Sequence, residues 1–287
     1  MKILVTGAGT LLGSSLSQKI LANNFNLIAS YRKTFPKNLN IDKSKVLKLD
    51  LSKKIKLSKK IDTLIHCASA IPSYKISDKQ MMDTNYFGFK RLLSQVIKNN
   101  CRKVILISTM SVYGKINVKN ITEKTKTKPS DAYGKSKLMM EKLLIKESKK
   151  NKLNFFILRL PALVGYKSDY NFISKVLQKV KKNQIVNYCN PDLRFNNFIH
   201  VENLNEIILK MLFKNEKKIL NIGSSKPIKL FKIINDIYKF EKKKPMISIF
   251  KSNNQGFNIK LSNYLLKNFK VYSTSKTLKK FLEDNKK

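Results

Sequence analysis

The first residues of the chain constrain its fold more than any other segment. Residues Lys2–Gly7 form a short apolar run that predicts a β-strand, and two more glycines follow before the helix-compatible residues Ser14–Asn23. Glycines let a backbone turn sharply and approach a pyrophosphate, and a helix start adds free N–H groups and a positive dipole end. The segment predicts a phosphate-binding turn, with an ordinary strand-to-helix turn as the alternative. The candidate cofactor residues here are Gly7, Gly9, Thr10, Leu11, Leu12 and Gly13.

The end of the second strand indicates which dinucleotide the chain prefers. This strand is predicted over Asn26–Tyr31, and Arg32 and Lys33 follow it. An acidic residue at this place would hold the adenosine ribose of NAD, whereas cations suit the 2′-phosphate of NADP. The sequence therefore favours NADP over NAD and makes Tyr31 and Arg32 candidate cofactor residues. The alternative is that both cations belong to a generally basic surface.

Two further predicted strands carry more candidates for the cofactor site. The third strand is expected over Val46–Leu51 and ends at the edge of the adenine, and the fourth, Ile61–Ala70, ends in small residues that leave room for the cofactor. The candidates are Asp50, Leu51, Cys67, Ala68 and Ser69. Strands alternate with helical stretches up to about residue 165, which predicts an α/β fold with a doubly wound parallel sheet, Rossmann-like.

Tyr133 and Lys137 form the strongest candidate for chemistry. They are four residues apart in a predicted helix, so they share one face, one turn apart. A phenol has an ordinary pKa of about 10, and a neighbouring cation favours the phenolate. Such a pair can exchange a proton while a cofactor carries a hydride. Lysine is so abundant here that two residues on a solvated helix face are the alternative, and the glycine turn shifts the balance towards catalysis.

Together with these motifs, others along the chain make it resemble an extended short-chain dehydrogenase/reductase, of the NAD(P)-dependent nucleotide-sugar epimerase/dehydratase family. The resemblance covers nearly the whole length. It rests on Thr6-Gly7 with Gly13, Asp50-Leu51, His66-Cys67-Ala68, Asn85, Ser108–Gly114, Tyr133 with Lys137, Leu158-Arg159 with Pro161, Phe198–Glu202 and Asn221-Ile222-Gly223. It implies hydride transfer at a carbinol or ketone of a nucleotide-linked sugar.

The resemblance also implies roles for single residues. Tyr133 would be the acid/base, and Lys137 would bind the nicotinamide ribose and lower the tyrosine pKa. Thr109 would hydrogen-bond the reacting oxygen, and Asn85 would fix the active-site strand and a water relay. The implied catalytic residues are Thr109, Tyr133, Lys137 and Asn85, and the additional implied cofactor contacts are Asn85, Ser108, Tyr133, Lys137 and Pro161.

Departures from the family pattern narrow the expected reaction. Thr10 stands where the family has its middle glycine, and Met110-Ser111 replaces the Asp-Glu pair of the dehydratases, so dehydration of the sugar is not expected. Ala162 stands where 4-epimerases commonly have asparagine. Asn196 stands where many relatives have an arginine for the substrate diphosphate, with Arg194 two residues earlier. The candidate substrate residues are Met110, Ala162, Arg194 and Asn196.

A 4-epimerase and a 4-ketoreductase remain as the two leading interpretations. The small size expected for the substrate lobe mildly favours the ketoreductase, because an epimerase must rotate a keto-sugar intermediate in its pocket. A non-catalytic NADP(H)-binding sensor or scaffold of the same fold is the alternative from another class. The presence of Thr109, Tyr133 and Lys137 together argues against it.

The charge of the chain raises the question of a nucleic-acid partner. The formal net charge is +41, from 59 lysines and arginines against 18 acidic residues. Clustered cations bind phosphates, but here they are nearly all lysines, spread along the chain, without interleaved aromatic residues. This pattern excludes a specific nucleic-acid partner and reflects AT-rich coding, although the charge should attract anionic substrates.

Composition also bears on compartment and on metals. The three cysteines and two histidines are too few and too scattered for a metal site or a disulfide framework. No apolar run approaches the roughly 18 residues of a membrane span, and the glycine turn begins at once, which leaves no room for a signal peptide. The sequence predicts a cytoplasmic protein that has no metal site and no membrane association.

The predicted organisation is one integrated chain. Residues 1–165 are expected to form the NAD(P)-binding Rossmann domain, to which strand 195–201 and segment 202–222 return. Residues 166–192 and 223–287 are expected to form a small C-terminal α/β substrate lobe. The helical segments Asn85–Asn99 and Ala132–Lys149 offer apolar faces for a homodimer or for packing on their own sheet. The residues of these faces are Phe87, Phe89, Leu92, Leu93, Leu138, Met139, Leu143 and Leu144.

Overall fold

The structure is a computed structural model that describes residues 1–33, 39, 41–42, 45–72, 76–252 and 256–286. The described strands are β1 (Lys2–Thr6), β2 (Asn26–Tyr31), β3 (Val46–Lys48), β4 (Thr63–His66), β5 (Lys103–Thr109), β6 (Asn120–Ile121), β7 (Asn154–Leu160), β8 (Ala162–Val164), β9 (Val186–Tyr188), β10 (Arg194–Phe195), β11 (Phe198–His200), β12 (Lys217–Asn221), β13 (Ile228–Lys229), β14 (Ile247–Ile249) and β15 (Asn258–Ile259). The described helices are α1 (Leu11–Ala22), α2 (Asp78–Met82), α3 (Gly88–Lys98), α4 (Ala132–Lys150), α5 (Phe172–Lys181), α6 (Val201–Met211), α7 (Leu230–Phe240), α8 (Asn263–Asn268) and α9 (Thr274–Asp284).

The chain divides into two compact units. The first unit consists of Met1–Lys115, Lys126–Arg159 and Ile208–Leu220, and the second of Ile116–Thr125, Leu160–Ile207 and Asn221–Lys287. Two short non-α segments of the first unit matter below. A π-helical turn, Asp83–Phe87, joins α2 to α3, and a 3-10 turn, Met110–Tyr113, follows β5.

A seven-stranded sheet organises the first unit. Its strand order is β12-β7-β5-β4-β1-β2-β3, and the neighbours from β3 to β5 pair in parallel. The order reverses between β1 and β4, which creates the switch point where doubly wound sheets bind ligands. The inner strands are apolar and buried on both faces, as a sheet covered on both sides requires. The predicted α/β, Rossmann-like doubly wound sheet is confirmed.

Helices α3 and α4 pack on this sheet through a regular apolar stripe. Buried residues recur on α3 at Phe89, Leu92, Leu93 and Val96, the spacing of one helix face. They belong to the same buried cluster as Met140 and Leu144 of α4 and the central strands. The predicted second helix, Ala132–Lys149, is confirmed to within one residue. Packing on their own sheet therefore accounts for the most buried residues of the two helices.

Three predicted strands differ from the structure. The third strand ends at Lys48, because the Asp50 carboxylate accepts hydrogen bonds from the N–H and hydroxyl of Ser52 and turns the chain. The fourth covers only Thr63–His66, because the N–H groups of Ala68 and Ala70 bond to side chains instead of a strand.

The predicted return of residues 195–201 to the main sheet is also wrong. Strand β10 pairs antiparallel with β13, and β11 pairs parallel with β8. Between them the Asn196 side chain bonds to backbone groups of Ser224 and Ile259, which takes the segment out of a continuous ladder. The outer strand beside β7 is β12 instead.

The second unit has its own core, formed by α5, α7 and α9 around short strand pairs. Buried side chains from these helices cluster with Val164 of β8, Tyr188 of β9 and Phe198 of β11. A buried His200 Nε2 lies 2.9 Å from Asp284 Oδ2, which ties β11 to α9. These contacts make the second unit a separately packed α/β body.

Candidate active site

The turn after β1 can only be made with glycine at two of its positions. Gly7 has φ of +74°, in the left-handed region that disfavours side chains. A Cβ on Gly13 would lie 2.1 Å from the Gly7 carbonyl oxygen. Such close backbone contact between the turn and the start of α1 exposes N–H groups at the helix end. The turn is therefore built as an anion site.

Thr10 replaces a glycine in this turn without strain. Its φ of −91° is open to any residue, and its hydroxyl accepts a hydrogen bond from Gly13 N at 3.1 Å while donating to Gly7 O at 2.8 Å. Thr10 is thus the N-cap of α1. The departure from the family pattern is explained, because the threonine stabilises the same turn by capping the helix.

A cleft of about 1080 Å³ opens beside the turn, within the first unit. Many of the predicted cofactor residues line it, namely Gly7, Gly9, Thr10, Tyr31, Arg32, Asp50, Leu51, Ala68 and Ser69. Three other predicted cofactor residues, Leu12, Cys67 and Ser108, are buried. Leu11 begins α1 and is half-buried, and Pro161 belongs to the second unit. Nine of the residues predicted from the sequence thus line this cleft. The sequence did not distinguish the residues that line the cleft from the residues that are packed behind them.

Three cations and two carboxylates line the cleft, namely Arg32, Lys33 and Lys48 with Asp50 and Asp83. Asp83 is paired with Arg91, whose Nη2 lies 3.0 Å from Asp83 Oδ1. Burial acts to raise the pKa of Asp50, but hydrogen bonds from Ser52 and the charge of Arg32 outweigh it and bring this pKa below its ordinary value. Lys48 was not predicted as a site residue; its place at the end of β3, beside Tyr31 in the sheet, was the available signal.

The loop after β4 is held by side chains from β1 and from the π-helical turn. Thr6 Oγ1 accepts a hydrogen bond from Ala68 N at 3.1 Å and lies 2.9 Å from His66 Nδ1. Asn85, buried in the π-helical turn, accepts from Ala70 N at 2.7 Å and donates to Ala70 O at 3.0 Å. Asn85 therefore holds the backbone of the loop that follows β4.

Tyr133 lies in the first turn of α4, which Asp131 caps by accepting a hydrogen bond from Gly134 N at 2.7 Å. The hydroxyls of Ser69 and Thr109 lie near the phenol. Burial raises the pKa of Tyr133 above its ordinary value, and hydrogen bonding by these two hydroxyls only partly offsets this rise. The sequence predicted the opposite direction, and it did not predict Ser69 as a partner of the phenol.

The position of Lys137 explains why the predicted lowering is absent. Its ammonium donates a hydrogen bond to Ile107 O at 3.0 Å, and it lies 5.8 Å from the centre of the Tyr133 ring. The side chain is only 2% exposed. Burial lowers the pKa of Lys137 to about 8, although the neighbouring Cys67 and Glu141 act to raise it. The lysine is therefore anchored to strand β5, below the tyrosine ring.

Thr109 ends β5 and caps the 3-10 turn that follows. Its hydroxyl accepts from Ser111 N at 3.2 Å and also lies 3.2 Å from Ser111 Oγ. Met110, predicted to contact substrate, is 8% exposed. The structure thus brings Thr109, Tyr133, Lys137 and Asn85 together in the first unit, as predicted for the catalytic group.

The other predicted substrate residues belong to the second unit. Arg194 is exposed on β10, and Ala162 begins β8. Asn196 is fully buried, and its amide donates to Ser224 O and Ile259 O while accepting from Ile259 N. Both amide hydrogens are used in these bonds, so Asn196 holds the backbone together and is not available to a substrate.

The described residues provide neither a metal-binding cluster nor a membrane-spanning helix. Within these ranges, no histidine, cysteine, aspartate and glutamate side chains gather in a group of three that could hold a metal ion. None of the described helices combines the length and apolarity that crossing a lipid bilayer requires.

A doubly wound sheet with an anion-binding turn at its switch point, a basic cleft and a tyrosine–lysine pair defines a dinucleotide-binding protein of the short-chain dehydrogenase/reductase type. Comparison with known proteins makes this specific. The model of the NAD dependent epimerase/dehydratase family matches residues 3–223, so the chain belongs to that family.

Individual relatives agree with this family. The chain is 27% identical over 253 residues to a putative UDP-glucose 4-epimerase of Methanocaldococcus jannaschii, which covers 83% of this chain and 82% of that protein. It is 24% identical over 264 residues to the UDP-glucose 4-epimerase of Streptomyces lividans, and the match covers 82% of this chain and 80% of that protein. It shares the fold of the UDP-glucuronic acid 4-epimerase from Bacillus cereus in complex with NAD, with a TM-score of 0.81 at 22% identity over 99% and 96% of the two chains.

Proposed function

We propose that this chain is an NADP(H)-dependent enzyme that acts at C4 of a nucleotide-linked sugar, as a 4-epimerase or a 4-ketoreductase. The observation that carries the proposal is the placement of Tyr133 near Ser69 and Thr109, with the buried Lys137 ammonium 5.8 Å from the centre of its ring. The family and the names of the relatives support the substrate class. The epimerase is the first choice because the relatives named above are 4-epimerases.

The residues of the first unit fit a bound dinucleotide. At Gly13 a Cβ would collide with Gly7 O, and this close backbone approach is what a pyrophosphate-binding turn requires. The cleft beside it offers cations for phosphates and Asp50 for a polar edge of the adenosine. In this proposal Gly7, Gly9 and Thr10 hold the pyrophosphate, and Lys137 holds the nicotinamide ribose.

The chain's own residues would carry the proton in the reaction. The nicotinamide, when bound, supplies the site that accepts or donates the hydride. Tyr133 takes the proton of the sugar hydroxyl during oxidation and returns it during reduction. Thr109 steadies the same oxygen by a hydrogen bond. Because burial raises the Tyr133 pKa, the phenol is protonated at neutral pH, which is the form that a ketoreductase needs; the oxidation that begins an epimerase cycle needs the phenol to lose this proton first.

The preference for NADP is supported by the charge of the cleft. Arg32, Lys33 and Lys48 converge on it, which suits a 2′-phosphate better than two ribose hydroxyls. The solved structure from Bacillus cereus holds NAD, so this preference would set the chain apart from that protein. Direct titration with both cofactors separates the two.

The second unit is proposed to bind the nucleotide part of the substrate, as the predicted lobe would. Arg194 is its candidate for the diphosphate, because it is an exposed cation on β10. Ala162 offers no hydrogen bond to the sugar. Its methyl group provides only packing surface.

We also propose a cytoplasmic homodimer. Phe87 and Met139 are 45% and 37% exposed on the π-helical turn and α4, whereas Phe89, Leu92 and Leu144 are buried in the core. The exposed pair is the remaining apolar surface of the two predicted dimer helices. Sedimentation of the wild type against Phe87→Ser tests this, and a monomer at micromolar concentration would contradict it.

The decisive experiment combines a cofactor assay with a substrate assay. Purified protein is passed through gel filtration and tested for retained NADP(H), then incubated with UDP-glucose, UDP-galactose and a 4-keto sugar nucleotide. An epimerase interconverts the first two without net cofactor change. A ketoreductase consumes NADPH with the keto sugar. Tight NADPH binding with no turnover of any sugar nucleotide would favour the sensor or scaffold.

A further inference from the structure

A buried group of four polar side chains, Ser108, Tyr113, Glu141 and Arg159, lies behind the catalytic residues in the first unit. Arg159 binds Glu141 through Nη2 at 2.7 Å and through Nε at 3.2 and 3.3 Å. Its Nη1 donates to the Tyr113 hydroxyl at 2.9 Å. The Ser108 hydroxyl donates to Glu141 Oε1. Glu141 is 1% and Arg159 5% exposed, so side chains from β5 and β7 hold the carboxylate away from water.

This carboxylate lies one helical turn from Lys137. The two residues are four apart on α4, and both contact strand β5 at neighbouring positions. Lys137 binds the carbonyl of Ile107, while Glu141 binds the hydroxyl of Ser108. The ammonium and the carboxylate are thus attached to adjacent residues of the strand, and Thr109 is the next residue along it.

The surroundings of Lys137 leave Glu141 as the charge that supports it. From β4 and its loop, His66 is neutral because burial lowers its pKa to about 3, and Cys67 is a thiol because burial raises its pKa to about 12. From α4, Tyr133 is a protonated phenol. From β7, Arg159 adds a second cation that shares the same carboxylate. A buried ammonium without a counter-charge loses its proton readily.

A structural role alone explains this group poorly. Buried ion pairs add little net stability compared with apolar residues of similar volume, because two charges must be taken out of water. The group is instead arranged so that the carboxylate cannot move, with three donors on its two oxygens. A fixed negative charge next to a lysine sets the protonation of that lysine.

Resting on the proposed function, we propose that Glu141 is the positioning residue of the site. Ser108 and Arg159 hold its carboxylate in place, and this carboxylate keeps Lys137 protonated and hydrogen-bonded to Ile107 O. In that position Lys137 can bind the cofactor ribose. Because Arg159 and Lys137 share the Glu141 carboxylate, removing the charge of Glu141 and removing the charge of Arg159 should have opposite effects on the pKa of Lys137. Removing the charge of Glu141 should make Lys137 lose its proton at lower pH. Removing the charge of Arg159 leaves Glu141 to Lys137 alone and should make it keep the proton to higher pH.

The test measures NADPH affinity by fluorescence from pH 6 to 10 in three variants and the wild type. Glu141→Gln keeps the shape and removes the charge, and Arg159→Gln removes the opposing cation. Glu147→Gln is the control, because its carboxylate lies further along α4 and bonds to Asn151. In Glu141→Gln the pH at which affinity falls by half should drop by about one unit, the usual effect of losing a neighbouring opposite charge.

In Arg159→Gln that pH should rise, and in Glu147→Gln it should match the wild type. Should Glu141→Gln not fold, as judged by circular dichroism, the upward shift of Arg159→Gln decides the question by itself. Equal midpoints in all folded variants would overturn the proposal. The same shift should appear on the alkaline side of the turnover profile; if no sugar is turned over while the binding midpoints shift, the substrate proposal fails and the role of Glu141 stands.

Discussion

The side-chain nitrogen of Asn85 donates a hydrogen bond to Ser136 Oγ at 3.1 Å, across 51 residues of chain. Ser136 in turn donates to the carbonyl of Tyr133 at 2.8 Å, one turn earlier on α4. At its other end the Asn85 amide holds both backbone groups of Ala70. One amide therefore sets how the loop that carries Ser69 meets the helix that carries Tyr133.

Asn85→Ala should lower both stability and turnover. The change leaves Ala70 N and O, which are half-buried at the cleft, without their side-chain partner; unsatisfied groups cost about 1–3 kcal/mol each when buried, and the lower end applies here. Urea unfolding should show a loss of roughly 2 kcal/mol, about 1 kcal/mol for each of the two groups. Turnover should fall in the fraction that remains folded. The surface change Asn151→Ala at the end of α4 is the control and should cost well under half as much.

The sequence could predict those parts of the site whose geometry is determined by residues close to one another in the chain. The turn at Gly7 and Gly13 needs glycine for reasons that lie within a few residues, and the Tyr133–Lys137 spacing is a property of one helix. Strand Asn26–Tyr31 was predicted to its ends because both are marked by polar residues. These features depend on backbone geometry over one turn or one strand.

The part that sequence could not predict depends on contacts between distant elements. Glu141 and Arg159 are 18 residues apart, on a helix and a strand, and in a lysine-rich helix a glutamate is most simply a surface residue. The direction of the Tyr133 pKa shift depends on the burial of the phenol and on the position of the Lys137 ammonium. The four-residue spacing of Tyr133 and Lys137 predicts neither of them. The wrong expectation for residues 195–201 has the same origin, because bonds from Asn196 to Ser224 and Ile259 decided it.

Arg32→Ala should change cofactor preference more than cofactor binding as such. Arg32 lines the cleft at the end of β2, where a 2′-phosphate would lie in the proposed complex. A hydrogen bond to a charged group is worth about 1.5–3 kcal/mol, so NADP affinity should drop about tenfold or more while NAD affinity changes little. Fluorescence titration with NADPH and NADH measures both. Arg102→Ala, at an exposed position outside the cleft lining, should leave both affinities unchanged; equal losses for the two cofactors in Arg32→Ala would contradict the assignment.

Acid should destabilise the protein partly through His66. Burial lowers the pKa of this histidine to about 3 in the folded state, whereas an unfolded histidine titrates near 6.5. Between these values the unfolded chain binds the extra proton, so the free energy of unfolding falls as pH drops, by at most about 1.4 kcal/mol per unit. Urea unfolding of wild type and His66→Asn at pH 7, 6 and 5 isolates this effect, because all other groups are shared. The free energy of unfolding should depend less on pH in His66→Asn than in the wild type. An equal pH dependence in the two proteins would contradict the role of His66.

Tyr133→Phe tests the proposed chemistry most directly. The change removes the hydroxyl that lies near Ser69 and Thr109 and keeps the ring that lies 5.8 Å from the Lys137 ammonium. Acid/base groups of this kind contribute about 10²–10⁴-fold to rate, so kcat with a sugar nucleotide should fall by that factor. NADPH affinity should stay within about twofold, because Lys137 and the glycine turn are untouched.

The matched control is Tyr170→Phe, which removes a hydroxyl from a side chain that is 84% exposed. Both variants lose the same atom, so any difference between them reports the place of that atom and not the loss of a phenol in general. Tyr170→Phe should turn over substrate at the wild-type rate. Near-normal turnover by Tyr133→Phe would show that the proton travels through another group, and Ser69 and Thr109 would be the hydroxyls to test next.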